Sequence, residues 1–149
     1  MSDPVRAAIV AKLESVPNIG KVHPYQRYAD DMEKLAQLFV IEKQLLGWYV
    51  ARKGIAEERD GCQRRVTVDW QIVGFRGWSD ADQSQLLFDD LVDAIREAFR
   101  TTKKLGDAEP RGPSKAGIQV EDDDSVLFAN VLCHRVRLAL QTTQFIDVT

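Results

Sequence analysis

The sequence has little from which to build a reactive centre. Its 149 residues include two cysteines, Cys62 and Cys133, and two histidines, His23 and His134. That is too few for a disulfide framework or a Cys/His zinc site. There is no run of ~18 apolar residues, and the opening stretch MSDPVRAAIVAKLESV carries charges through its apolar positions. A membrane span and a secretory signal are thereby not expected, and folding in a cytoplasm is. Charge of one sign is missing too: 20 Lys+Arg stand against 23 Asp+Glu, a net charge of −3. This argues against a strongly cationic nucleic-acid binder and against an acidic disordered tail. No GxGxxG, P-loop, GxSxG or HExxH pattern occurs, so no enzyme, cofactor or metal site is expected. What is present is ordinary: 44% hydrophobic and 29% charged residues, enough to fill the core of one domain spanning 1–149.

Periodicity supplies the elements. Ser2 or Asp3 caps a first helix with Pro4 in its first turn and Val5, Ile9 and Leu13 on one stripe. Pro17-Asn18-Ile19-Gly20 ends it, and Lys21–Tyr28, interrupted by Pro24, reads as an extended edge segment. A short helix follows over DDMEKLAQLF, with Met32, Leu35, Ala36 and Phe39 on one face. Ser79 is the expected cap of the longest helix, whose stripe of Leu87, Leu91, Ala94, Ile95, Ala98 and Phe99 runs on to Lys103-Lys104 and is closed by Gly106. Leu105–Lys115 reads as a linker-like loop. Two strands complete the chain, Ala116-Ile118-Val120 and Val126–Thr143, joined by a turn at Asp122-Asp123-Asp124-Ser125. The order α-β-α-β-β-α-β-β predicts an α+β fold, a single mostly antiparallel sheet with helices packed on one face.

The strongest local signal lies between Leu45 and Trp78, where Asp60-Gly61 suits the centre of a two-residue type I′ turn. With that register Glu57 stands opposite Arg64 and Arg52 opposite Asp69, two cross-strand charge pairs. Tyr49, Ala51, Ile55, Val66, Val68, Trp70 and Ile72 then share the core face. Near the turn both faces are polar, so a solvated arm is expected to project past the body.

Other residues invite chemical readings. Asp122-Asp123-Asp124 offers carboxylates to a divalent cation, but without the further ligands and glycine of a calcium loop, and a solvated turn accounts for it. A metal-dependent or nucleic-acid-associated enzyme subunit built on that turn is the alternative from a different class. His134, in phase with Leu132, Val136 and Leu138, points to the core, and no serine, cysteine or acid is placed near it. Cys133 points the other way, so Cys62 and Cys133 are expected as free thiols. Arg135 and Arg137 lie on the face away from the helices. With Asp69, Glu57 and Glu58 interleaved among the arginines of the hairpin, a protein contact fits better than a phosphate backbone.

The chain resembles the tail terminator, or tail completion, proteins of long-tailed bacteriophages and Mu-like prophages over nearly its whole length. The resemblance rests on VRAAIVAKLESVPNIGKVHPYQRY, the hairpin ending VTVDWQIVGFRGW, the helix SDADQSQLLFDDLVDAIREAF, and a last strand with VLCHRVRLALQ. It implies a structural virion protein, assembled as a homohexameric ring on the head-proximal end of the tail tube, where it ends tube polymerisation. The implied partners are other copies of the chain, the tail tube protein and a head or neck connector protein, with DNA only passing through the lumen. Another head–tail connector or neck protein of the virion is the nearer alternative. Arg52, Glu57, Glu58, Arg64 and Arg65 are the expected subunit or tube contacts, with Arg135 and Arg137 a second set.

Overall fold

A computed structural model of the chain describes residues 3–102, 105, 109–111 and 118–147. Ser2, Lys103, Lys104, Gly106, Ala116 and most of the expected 105–115 linker lie outside the described residues. The elements run α1 (Pro4–Glu14), β1 (Lys21–His23), α2 (Met32–Gln37), β2 (Val40–Ile41), β3 (Gln44–Asp60), β4 (Gln63–Gly77), α3 (Ser84–Arg100), β5 (Glu109–Arg111), β6 (Gln119–Phe128) and β7 (Val131–Asp147).

The chain has an α+β fold, built on one mixed sheet with the order β1-β3-β4-β7-β5; β2 pairs with the start of β3, and β6 pairs with β7. Every pairing is antiparallel except that of β1 with β3. Helices α1 and α3 cover one face, over a core of Ile9, Leu13, Trp48, Trp70, Ile72, Phe88, Ile95 and Leu138. The expected stripe of α1, Val5, Ile9 and Leu13, is buried; in α3 Leu91, Ile95 and Phe99 of the expected stripe are buried together with Phe88 and Val92, whereas Leu87 is exposed. Helix α2 instead joins a second cluster on the opposite face, where Leu35 and Ala36 pack with Phe39, Val73, Phe75 and Cys133.

Two buried indoles are satisfied by hydrogen bonds. Trp48 Nε1 donates to the Ile19 carbonyl at 2.8 Å and Trp70 Nε1 to Thr142 Oγ1 at 2.9 Å. A Cβ at Gly74 would fall within the Trp48 ring, so the absence of a side chain there is what lets Trp48 lie flat on the sheet.

Five expectations from the sequence are corrected. The hairpin turn is Gly61-Cys62, with Asp60 opposite Gln63. Only Gly61 of the two central residues has positive φ, +60°, the pattern of a type II′ turn with glycine first. Next, a bulge between Arg52 and Gly54 shifts the register and turns over the faces of the first half of β3. Trp48 and Val50 therefore enter the main core, and Tyr49 faces the other side. Third, Asp122–Asp124 lie inside β6, and the turn to β7 is Ala129-Asn130, both left-handed at φ 51° and 65°. Finally, α3 begins at Ser84, after a turn over 79–83 that ends in left-handed Gln83. The expected linker also contains the strand β5.

Candidate functional site

Beyond Gly54 the β3–β4 hairpin leaves the body. No described side chain from 54 to 68 is buried, and the segment from Gly54 to the turn reaches roughly 20 Å at the usual rise of an extended strand. β7 continues beside it, pairing Thr142 with Val68 and Asp147 with Gln63, so the arm is three strands wide. The sequence reading missed this third strand by ending β7 at Thr143. The alternation of Thr142, Gln144 and Ile146 with Thr143 and Phe145 is the signal that could have extended it.

Ion pairs sit on both faces of the arm. Arg64 Nη1 lies 2.9 Å from Glu57 Oε1, both side chains about half exposed. The pair forms on the diagonal, since Glu57 stands opposite Val66 and Arg64 opposite Arg59. Arg65 donates to Glu58 directly across the strands on the other face. Phe145 stands opposite Arg65 and is 53% exposed; Ile55, on the helix-side face, is 61% exposed. The arm thus presents isolated apolar side chains among paired charges.

Arg52 does not join this group. It stands opposite Trp70 and not opposite Asp69, and its guanidinium lies 3.7 Å from Asp3, the cap of α1, at the base of the arm. Arg135 and Arg137 are separate again, on the body and facing away from α1 and α3. Arg135 donates to both carboxylate oxygens of Asp124, at 3.1 and 2.8 Å, and Arg137 pairs with Asp122. The acidic run read as a turn is therefore half of a charge ladder along β6 and β7. Tyr49 lies near it, and burial raises its hydroxyl pKa against the opposing pull of the two arginines.

Three further features escaped the sequence reading. Ser84 Oγ lies 2.8 Å from His134 Nε2, although no serine was expected near that histidine. Ser84 is 1% exposed and its oxygen also accepts the Ser79 N–H at 2.9 Å, so the pair locks the start of α3 onto β7. The His134 ring lies under Trp78, centroids 4.2 Å apart. Burial lowers its pKa, with Asp123 and Asp89 opposing. Arg76, 8% exposed and opposite His134, has an Nε without a hydrogen-bond partner and enters no ion pair among the described residues. It borders a groove with Gly20, Gln44, Leu87 and Asp90.

Cys62 is exposed in the hairpin turn and Cys133 is buried; both are free. Among the described residues no group of three or more His, Cys, Asp or Glu side chains is placed to hold a metal ion, and no helix is long and apolar enough to cross a membrane. No protein-family model matches the chain, and no curated protein matches it in sequence.

Proposed function

We propose that the chain is a structural protein of a phage virion that closes the head-proximal end of the tail tube as a ring of identical copies. The observation that carries this reading is the three-stranded arm, which extends past the core with ion pairs on both faces and exposed Ile55 and Phe145 between them. Apart from Thr142 and Thr143 at its base, the arm buries no described side chain within its own chain, which suits it to a contact with another protein. Matched charges on it give register and partner choice more than affinity. Identical copies joined head to tail close into a ring when the rotation permits.

One face of the ring docks on the last ring of the tube, and no further tube subunit finds a matching surface there. The other face receives the head or neck connector. DNA passes through the lumen without being held. The pairing of Arg135 with Asp124 and of Arg137 with Asp122 supports this, because it removes two cations that a phosphate backbone would otherwise attract.

The test is capping in vitro. Purified chain added to growing tube protein of the same virus should stop elongation at one end, and label should localise to that end. Continued growth at both ends contradicts the reading.

A further inference from the structure

A groove of about 600 Å³ lies between the N-terminal half of α3, the α1–β1 turn and the β2–β3 turn. Leu46, Leu87 and Leu91 make part of its lining apolar, and Glu42 and Asp90 make part of it acidic. Among the described residues that line it, Arg76 is the sole cation. A groove of this size accommodates a ligand and not merely a water.

Arg76 departs from the pattern of its own strand. Trp70, Ile72, Gly74 and Arg76 alternate onto the helix-side face of β4, and the first two belong to the main core. Leu46 stands opposite Arg76 on β3 and His134 opposite it on β7, so an apolar side chain would continue the stripe. The arginine is instead 8% exposed, its Nε has no hydrogen-bond partner, and it enters no ion pair among the described residues. Burial lowers its pKa, and Asp82 opposes this without reaching ion-pair distance. A buried cation without a counter-charge bears the cost of its desolvation. Because this one lines an open groove, a ligand can supply the charge that the chain does not.

The lining sets the chemistry of that ligand. A guanidinium grips a carboxylate or a phosphate through two parallel N–H bonds. Glu42 and Asp90 are exposed and in no ion pair among the described residues, so they repel a phosphate dianion more than a single carboxylate. They are also hydrogen-bond acceptors, and a free organic acid brings them no donor. A polypeptide does, through its backbone N–H groups, and its apolar side chains suit Leu46 and Leu87. Glutamate is the longer of the two acidic side chains and the better able to reach a guanidinium this deep.

We propose that the groove docks an acidic segment of a partner polypeptide, a glutamate carboxylate pairing with Arg76 and a flanking apolar side chain lying against Leu87. The site does not depend on the ring proposed above, and either reading can fail without the other.

The test titrates the protein with the blocked tripeptide leucyl-glutamyl-leucine, its leucyl-glutaminyl-leucine counterpart, hexanoate and inorganic phosphate, each at millimolar concentration. Calorimetry gives the affinities, and the methyl signals of Leu87 and Leu91 report the place. The glutamyl peptide should bind saturably and move those signals. The glutaminyl peptide, hexanoate and phosphate should each bind at least about tenfold more weakly. Arg76→Met should weaken the glutamyl peptide by at least about the same factor. Should that variant misfold, the comparison of the two peptides on the wild type still decides. A wild type that binds no glutamyl peptide, or binds it with those methyl signals unmoved, overturns the proposal. So does equal binding of the glutaminyl peptide, or equal binding by a folded Arg76→Met. Preference for phosphate makes this a phosphate site and preference for hexanoate a site for a free acid, and either result overturns the docking of a polypeptide.

Discussion

Ser84 Oγ and His134 Nε2 lie 2.8 Å apart beneath Trp78, and this contact fixes where α3 starts. The serine oxygen also receives the Ser79 N–H, so its loss leaves a half-buried donor and a buried ring nitrogen without that partner. Ser84→Ala should cost about 1–3 kcal/mol of stability, read as a lowered denaturation midpoint with unchanged slope. A midpoint equal to wild type contradicts the assignment.

The same histidine sets a pH dependence. His134 and His23 both titrate below their ordinary value of 6.5, chiefly because burial disfavours their charged forms. Around His134, Asp123 and Asp89 oppose the shift and Arg76 adds to it. The unfolded chain takes up protons near 6.5 and the folded chain only at lower pH. Between those points the unfolded state holds more protons, and stability falls as pH falls. The melting temperature should be level above pH 7 and decline below 6.5, less steeply in His134→Gln. Equal slopes in the two proteins contradict the account.

Arg76 is a buried cation whose Nε has no hydrogen-bond partner and which enters no ion pair among the described residues, and burial holds its pKa below the usual arginine value against the pull of Asp82. Replacing such a group with an apolar one of similar length removes a desolvation cost. Arg76→Met should therefore raise stability by about 1–3 kcal/mol, whereas a loss on that scale would mean that Arg76 is paired in solution.

The two thiols should differ sharply. Cys62 is exposed, and burial pushes the Cys133 thiol up to about 11. A thiol reagent at neutral pH should modify one cysteine per native chain within the time that denatured chain reacts at both. Two equivalents at equal rates in the native protein refute the placement of Cys133.

At Gly74 a methyl group would meet the Trp48 ring, while at Gly54 the nearest atom is Asp69 Oδ2, 3.3 Å from an added Cβ. Gly74→Ala should destabilise by about 1–3 kcal/mol and Gly54→Ala by much less, measured by denaturant unfolding. The reverse order would place the indole elsewhere.

The helical stripes were legible because each faces one continuous apolar surface: Ile9, Leu13, Ile95 and Phe99 fall where period 3.6 puts them. The arm was legible for the opposite reason, since its polar tip has nothing to bury. The inner half of β3 was not, because a single extra residue at Lys53 reverses every face that follows toward the N-terminus. Gly54, beside the bulge, is the cue that such a residue often gives. The turn at Ala129-Asn130 was obscured because alanine gives no sign of a left-handed backbone, whereas three consecutive aspartates resemble a turn. Their partners, Arg135 and Arg137, lie on the next strand, and only the β6–β7 register reveals the match. The arm pairs came out correctly in part: Glu57 meets Arg64 despite the shifted turn, because a two-residue shift keeps both on one face.

We propose that the chain ends tail tubes. Electron microscopy of virus particles assembled without it tests that most directly. The account predicts overlong tubes without heads attached; tubes of normal length would contradict it.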